Sequence, residues 1–348
     1  MIQIITIDQV AKLAGVSRAT VSRVINNNGY VSNITREKVE KVIKDNKYVP
    51  SALATNLSKK HKNNVIGVIV PEIHNMFFSE VLQGIAEVCE TSDLSFICCD
   101  TSNNIHKENR ALKSLIGQRV RGLIFAPAVE RNKASDMELL ETYIKELGVP
   151  IVILDRYLTR GNWHGVHYED EQSGYLATKE LIKAGNTNLA MLTGNLSLRI
   201  ATDRYQGFLR ACKEYNIADT MLLKGDLSIQ TAYTVSKEML ASKNLPQGIV
   251  TSNNLSSLGF LRAASEAGIT IGKDIAMVGI DHIEVLDMIN YNLSAVTRDT
   301  VKMGRTAMEL LNHVIENNLY NKPLTPDTAI HKVIPCITRL RGSETRKI

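Results

Sequence analysis

The stretch Thr6–Ile25, TIDQVAKLAGVSRATVSRVI, predicts two short helices joined by a tight turn. A threonine followed three residues later by Gln9, just before an apolar-periodic run, is typical of the capping box that begins a helix. Gly15 ends this helix, because glycine readily adopts the left-handed backbone of a tight turn. Ser17 can cap the second helix, which the following asparagines end at Gly29. A third helix, capped by Ser32 in VSNITREKVEKVIKDNKY, completes a helix-turn-helix unit.

The second helix of this unit carries a polar face with almost nothing apolar to bury. That face is made of Arg18, Ala19, Ser22 and Arg23, at spacings of three and four. In a helix-turn-helix the second helix enters the DNA major groove, where arginine donates to guanine and a small side chain can meet a thymine methyl. We therefore predict that Arg18, Ala19 and Arg23 read bases and that Ser22 contacts a phosphate. A plain solvated helix face is the alternative.

Positive charge is concentrated in the same region. Residues 1–62 hold eleven Lys and Arg against four acids, a net charge of +7, whereas the whole chain of 348 residues has a net charge of +5. A basic head on a near-neutral body favours a polyanionic partner. The chain has no apolar run of about 20 residues and no signal-peptide pattern, which predicts a cytoplasmic protein without a membrane partner.

The five cysteines show no CxxC pair and no histidine at zinc-finger spacing, so we predict no metal and no cofactor. Cys98 and Cys99 adjoin in LSFICCD, which reads as a buried strand. We therefore predict that both are thiols of the hydrophobic core.

The segment after the third helix predicts a hinge next to the head. Pro50 suits the start of a helix, and Ser51–Ser58 then reads as a short helix with Leu53 and Leu57 four residues apart, followed by lysines. Such a short helix is marginal alone in water, and we expect it to order when docked on DNA. There Leu57 can wedge between base steps in the minor groove. A plain linker is the alternative.

From Val65 onward, short apolar runs such as VIGVIV and PIVIL alternate with amphipathic helical stretches. This rhythm is typical of parallel sheets covered by helices, in two lobes. Such sheets bind ligands at the carboxyl ends of their strands. Asp155, Asn253 and Asp281 each stand at the end of an apolar strand, which makes them candidates for a cleft between the lobes.

Several segments together carry a family resemblance. DQVAKLAGVSRATVSRVINNNGYVSNITREKVEKVIKDNKYVPSALATNL closely resembles the headpiece and hinge of the lactose-repressor (LacI/GalR) family of bacterial transcription regulators. The likeness continues in NVIGVIVPEIHNMFFSEVLQGI, EDEQSGYLATKELI and DIAMVGID, and it covers nearly the whole chain. It implies two periplasmic-binding-protein-like lobes that close on a small effector. The chain departs from the family pattern at His282 and at Leu227, so a particular ligand is not carried over.

The resemblance also implies further site residues. Arg204 matches the family's cleft arginine, and Phe77 and Phe78 match an aromatic pair at the mouth of the first lobe. Carboxylates, an amide and a guanidinium in one cleft are suited to sugar hydroxyls. Two alternatives remain open: Asp155 can form an ion pair with the neighbouring Arg156, and either phenylalanine can belong to the core.

The predicted fold class is a small all-α helix-turn-helix head plus an α/β periplasmic-binding-protein-like body of two parallel-sheet lobes. The predicted boundaries are 1–49 for the DNA-binding head, 50–63 for the hinge helix and linker, and 64–348 for the effector-binding and dimerisation domain. Within that domain we place lobe one at about 64–163 and 292–322, and lobe two at about 164–291 and 323–342.

The predicted function is sequence-specific repression of transcription under the control of a small effector. Two heads of a homodimer would read a pseudo-palindromic operator in double-stranded DNA. A sugar is the expected effector, and a purine or a phosphoprotein is the alternative. A solute-binding protein would need an export signal and no basic head. An enzyme is not expected, since the chain shows no GxSxG, P-loop, metal spacing or GxGxxG motif.

Overall fold

The structure is a computed structural model that describes residues 5–25, 27–48, 64–128, 134–158, 161–242, 244–321 and 324–346. The chain divides into two compact units, 1–63 and 64–348, which we call the head and the body. The predicted hinge helix, including Leu57, lies outside the described residues. Among the described helices, none is both long enough and apolar enough to cross a membrane.

The head is a helix-turn-helix with a third bracing helix, as the sequence predicts. Its helices are α1 (Ile7–Ala14), α2 (Arg18–Ile25) and α3 (Asn33–Asp45). The capping box is present, because the Thr6 side chain accepts from the backbone N–H of Gln9 while Gln9 Oε1 accepts from that of Thr6 at 2.7 Å.

The turn between α1 and α2 and the small core of the head also follow the prediction. Gly15 has a φ of +65°, and Ser17 Oγ accepts from the Thr20 N–H at 3.1 Å. The core contains six buried side chains, one or more from each helix: Val10, Ala11, Ala14, Val21, Val24 and Val39.

Helix α2 ends earlier than predicted, at Ile25 instead of Gly29. Beyond Ile25 the sequence offers only asparagines before Gly29, and these have nothing to contribute to an apolar core. Asn27 adopts a φ of +47°, the left-handed conformation that terminates helices.

The body contains two six-stranded sheets. Sheet one has the order β11-β5-β4-β3-β1-β2, and sheet two has the order β12-β10-β9-β8-β6-β7. All pairings are parallel except that of β12 with β10. The strands are β1 (Val65–Val70), β2 (Ser95–Asp100), β3 (Leu123–Phe125), β4 (Ile151–Leu154), β5 (His164–Tyr168), β6 (Asn188–Thr193), β7 (Asp219–Lys224), β8 (Gly248–Thr251), β9 (Ala276–Ile280), β10 (Ser294–Arg298), β11 (His331–Ile334) and β12 (Cys336–Arg339).

Helices cover both faces of each sheet. On sheet one, α4 and α12 pack on one face and α5 and α6 on the other; on sheet two, α7 and α8 pack on one face and α9 and α10 on the other. Their bounds are α4 (Met76–Thr91), α5 (Ile105–Gln118), α6 (Ala134–Leu147), α7 (Asp170–Lys183), α8 (Arg199–Glu214), α9 (Ile229–Leu240), α10 (Asn254–Glu266), α11 (Glu284–Met288) and α12 (Thr300–Glu316). The predicted fold class of two parallel-sheet lobes is confirmed.

The chain crosses between the lobes later than the sequence predicted. The crossings lie after β5, after β10 and after β11, at residues 169, 299 and 335, instead of near 163, 291 and 322. The predicted lobe limits are therefore wrong at all three positions. Strands β5 and β10 read HGVHY and SAVTR, and neither is the uninterrupted apolar run that marks a buried parallel strand.

The prediction that Cys98 and Cys99 are core thiols is also wrong. Strand β2 forms one edge of sheet one, so Cys98 is exposed and Cys99 is only partly buried. An edge strand and a central strand can share the same apolar composition, because composition does not specify how many neighbours a strand has.

Glycines allow the closest helix contacts of each lobe. In lobe one, a Cβ on Gly304 of α12 would lie 2.0 Å from the Val81 carbonyl oxygen, and a Cβ on Gly84 of α4 would lie 2.0 Å from that of Val301. In lobe two, Gly174 of α7 and Gly207 of α8 make an equally close contact. Backbone meets backbone at both crossings, so these positions admit no side chain.

Candidate functional site

The predicted base-reading face of α2 is open to solvent. Arg18, Ala19 and Arg23 are exposed, and Ser22 is partly exposed. Arg18 Nη1 lies 3.7 Å from Asp8 Oδ2, and both side chains are 65% exposed. Such an exposed ion pair contributes at most about 1 kcal/mol, so Arg18 can exchange Asp8 for another acceptor.

A cavity of about 400 Å³ lies between the two lobes of the body, at the carboxyl ends of the strands. Its wall includes all six residues predicted to bind the effector: Phe77, Phe78, Asp155, Arg204, Asn253 and Asp281. The structure thus brings these side chains together, and their contact with a ligand stays a prediction.

Asp281 directly follows β9 and is held by an arginine. Arg298, the last residue of β10, places Nη2 at 2.5 Å and Nε at 2.7 Å from Asp281 Oδ1. Asp281 has a φ of +73°, a backbone conformation that aspartate and asparagine tolerate better than most residues. Both side chains are nearly fully buried, so the pair fixes the carboxylate at the cavity wall.

Asp155 occupies the corresponding place after β4, with a φ of +61°. Among the described residues its Oδ1 has no hydrogen-bond partner, and the nearest cation is Arg298 Nη1 at 3.9 Å. Burial raises the pKa of this carboxyl group, an effect that Arg298 partly offsets. The alternative of an ion pair with Arg156 is not what the structure shows, since Arg156 donates to the carbonyls of Pro127 and Ala128.

Arg204 lies in α8 and is bound largely by protein groups. Its Nε and Nη2 lie 2.8 Å and 2.7 Å from Asp170 Oδ1, and its Nη1 donates to the Ser252 carbonyl at 2.7 Å. The guanidinium therefore fastens α7 and the end of β8 beside the cavity. Much of its hydrogen-bonding capacity is already used inside lobe two.

Two neighbouring asparagines at the start of α10 have separate contacts. Asn253 caps the helix by accepting from the Ser256 N–H at 2.8 Å, and its Nδ2 donates to the Leu227 carbonyl at 3.1 Å. Asn254 Nδ2 donates to Asn75 Oδ1 at 3.0 Å. Since Asn75 caps α4 in lobe one, this bond joins the two lobes at the cavity.

Phe77 and Phe78 serve both of the roles that the sequence left open. They belong to the core of lobe one and also line the cavity. Their rings meet edge to face at 4.8 Å, and the Arg298 guanidinium lies 5.1 Å from the Phe77 centroid. An effector can therefore reach these rings only in part.

Sequence reasoning missed three groups on the cavity wall: Arg298, Arg156, and the pair formed by Asn75 and Asn254. The position of Arg298 at the end of a strand was the available signal. It went unused because β10 was not recognised as a strand.

Residues 6–51 match the family model described as bacterial regulatory proteins, lacI family, and residues 66–319 match that of a periplasmic binding protein domain. The chain belongs to the lacI family. Its body is the effector-binding part of such a regulator, and its head is the DNA-binding part.

Individual relatives and solved structures support the same family membership. The HTH-type transcriptional repressor PurR of Vibrio vulnificus (strain CMCP6) is 32% identical over 321 residues, which cover 91% of this chain and 94% of that protein. A structure of the Lac repressor dimer bound to operator and the anti-inducer ONPF has a TM-score of 0.81 at 25% identity, covering 99% of this chain and all of that one. A LacI-family regulator from Enterococcus faecium with bound ribose has a TM-score of 0.71 at 26% identity, covering 82% of this chain and 99% of that one.

Proposed function

We propose that this repressor responds to a sugar that binds between Asp155 of lobe one and Asp281 of lobe two. The observation that carries this is the mixture of carboxylates, amides and hydroxyls on the wall of a 400 Å³ cavity. A sugar hydroxyl both donates and accepts, so it suits a wall that holds both kinds of partner. The ribose bound to the Enterococcus faecium regulator supports the same class of ligand.

The charges favour a sugar without a phosphate group. Four carboxylates line the cavity, and three guanidinium groups stand against them. Arg204 is bound to Asp170, and Arg298 is bound to Asp281. Arg156 donates to the carbonyls of Pro127 and Ala128. A phosphate would thus meet four carboxylates at a wall whose three guanidinium groups already have protein partners, which costs desolvation energy.

A thermal-shift screen of the full-length protein tests this. The panel contains D-ribose, D-glucose, D-galactose and D-fructose, their phosphates, and the purines hypoxanthine and guanine. A bound sugar at about 100 times its dissociation constant should add about 2.7 kcal/mol to the stability of the folded state. Each sugar phosphate should shift the melting temperature less than its parent sugar. A shift with purines alone would replace the sugar by the alternative effector class.

We also propose that the protein works as a homodimer on operator DNA in the cytoplasm. Strands β2 and β7 form edges of the two sheets, and partly exposed apolar side chains stand on both, among them Phe96, Ile97 and Leu222. Unpaired edges of this kind invite a second copy of the chain. Two heads on a two-fold axis would read half-sites about one helical turn apart, with Leu57 as the minor-groove wedge.

Effector control then acts through the lobes. An effector that binds one arrangement of the lobes more tightly than the other shifts their equilibrium, and operator affinity changes with it. We propose that the cavity binds its ligand without transforming it. Support comes from the regulatory family and from Asp281, whose carboxylate is committed to Arg298.

Substituting Arg23 by alanine should weaken specific operator binding by about 1–3 kcal/mol and leave non-specific binding nearly intact. The physical reason is that a base-reading arginine makes its hydrogen bonds only on the correct sequence. Fluorescence anisotropy with operator and scrambled duplexes measures both affinities. Lys41→Ala, which removes the same charge from an exposed position of α3, is the control. An equal loss on both duplexes would show that Arg23 contacts phosphate instead.

A further inference from the structure

The last two strands form one unpaired edge that runs across both lobes. Strand β11 lies at the end of sheet one and β12 at the end of sheet two, and a single residue, Pro335, separates them. Residues 331–339 are therefore one extended segment, paired on its inner side with β5 and β10. On its outer side no described strand pairs with it. The backbone groups of that side are open to a strand from another chain.

This β11–β12 edge exposes apolar side chains. Val333 and Ile337 are 56% and 65% exposed, whereas Ile334 and Cys336 between them are buried in the cores of the two lobes. Such an alternation is that of a strand with one covered face and one open face. The edge therefore offers two apolar side chains four residues apart, one on each lobe. Exposed apolar groups on an unpaired edge indicate a binding surface.

The same edge is basic. The stretch HKVIPCITRLR, His331–Arg341, contains a lysine, two arginines and a histidine but no acidic residue, although residues 63–348 together carry a net charge of −2. Lys332 and Arg339 are both exposed. A second copy of this edge would oppose it with the same charges, and like charges on neighbouring strands are destabilising. An acidic segment would instead meet complementary charge.

The edge also stays open in the proposed homodimer. Strands β11 and β2 are at opposite ends of sheet one, and β12 and β7 are at opposite ends of sheet two. A dimer formed through β2 and β7 therefore leaves β11 and β12 uncovered. Nothing about this edge depends on the identity of the effector.

We propose that the β11–β12 edge binds an extended acidic segment of a partner protein, which adds one strand to each sheet. In this mode of recognition main-chain hydrogen bonds supply affinity, and side-chain contacts supply specificity. The segment places apolar residues beside Val333 and Ile337 and acidic residues beside Lys332 and Arg339.

Such a partner is sensitive to the arrangement of the lobes, because the edge passes from one lobe to the other at Pro335. A segment bound along the whole edge contacts Val333 of lobe one and Ile337 of lobe two at the same time. It can do so only while the two strands follow each other in line. A partner that binds this arrangement preferentially also stabilises it, which makes the edge a second input to the regulator.

Fluorescence anisotropy with the full-length protein tests the proposal. The probe is a labelled, capped nonapeptide with two glutamates at each end, valines at its third and seventh positions and threonines between them. Its sequence reads the same in both directions, so it fits parallel or antiparallel addition. It should bind saturably, and a probe with lysines in place of glutamates should bind at least about tenfold more weakly. N-methylation of the three threonines should weaken binding to a similar extent, because backbone donors are lost.

Two variants locate the probe on the edge. Arg339→Glu should bind the acidic probe at least about fivefold more weakly than the wild type does, and the lysine probe more tightly. Ile337→Asp should also weaken the acidic probe, since it removes an apolar contact and adds a like charge. Leu139→Asp is the matched control, because it changes another exposed apolar side chain, on α6, and should leave binding unchanged. Both edge positions are exposed, so melting temperatures should stay near that of the wild type.

Three results would overturn the proposal. Failure of the acidic probe to bind, or equal binding of the acidic and lysine probes, would remove the acidic partner. Unchanged binding in both Arg339→Glu and Ile337→Asp would place the probe elsewhere on the protein. If sedimentation showed a wild-type assembly larger than a dimer that Ile337→Asp returned to a dimer, a second copy of the chain would be the occupant of the edge.

Discussion

Replacing Asp281 by asparagine is expected to abolish effector binding, with a loss of at least about 100-fold, and to destabilise the body. Arg298 would keep a neutral amide in place of a carboxylate at 2.5 Å, in a site where its side chain is 2% exposed. Removing one partner of a buried ion pair costs about 3–5 kcal/mol, because the other charge stays buried without compensation. Asparagine accepts the φ of +73°, so the backbone need not move and the lost charge is the main change.

Melting temperature and calorimetric affinity together measure this effect. Asp287→Asn is the matched control, because Asp287 lies in the same lobe and pairs with Arg341, yet 32% of its side chain is exposed. Loss of such a partly exposed pair should cost about 1 kcal/mol or less. If Asp281→Asn behaved like Asp287→Asn, the Asp281–Arg298 pair would have no special part in holding the cavity.

Gly304→Ala is expected to lower the free energy of unfolding of the body by about 3 kcal/mol, the upper part of the usual range for overpacking. The added Cβ would lie 2.0 Å from the Val81 carbonyl oxygen and 3.0 Å from the Ile85 nitrogen. Both are backbone atoms, which cannot rotate away as a side chain can. Helices α4 and α12 would have to separate along their whole contact.

Calorimetric melting of the full-length protein checks the prediction, and Gly117→Ala is the control. Gly117 lies in helix α5, and a Cβ there meets nothing within 4 Å. The same substitution should therefore stabilise the protein slightly, by about 0.4–1 kcal/mol, through the entropy of the unfolded chain. Equal melting temperatures for the two variants would mean that α4 and α12 can accommodate the added methyl group, against the close contact in the structure.

The head was predictable because its determinants are local. The capping box joins Thr6 to Gln9, and the turn depends on the single residue Gly15. The capping box and the glycine turn each depend on residues at most a few positions apart, so the sequence shows them directly. The end of α2 was less predictable, since it depends on which residues of the helix can still pack against the core formed by the three helices of the head.

The candidate site was predictable where it follows from strand ends. Asp155 and Asp281 each follow a strongly apolar strand, and parallel topology brings those ends to one edge. Arg298 also ends a strand, but its strand SAVTR is not a strongly apolar run and was not recognised from the sequence. Its place depends on β10 pairing with β9 and β12, and its role depends on aromatic rings of the other lobe. The exposure of Cys98 likewise depends on which strand lies at the edge of sheet one.

The three crossings between the lobes have a consequence for the order in which the protein is made. Strands β11 and β12, at residues 331–339, complete sheet one and sheet two respectively. On a ribosome, neither sheet can be finished until these residues have emerged, although seven of the ten other strands, β1 to β7, end more than 100 residues earlier. The described helices of the head are complete after residue 45. In a nascent chain, the helices of the DNA-binding head are therefore synthesised long before the cavity that would bind an effector can form.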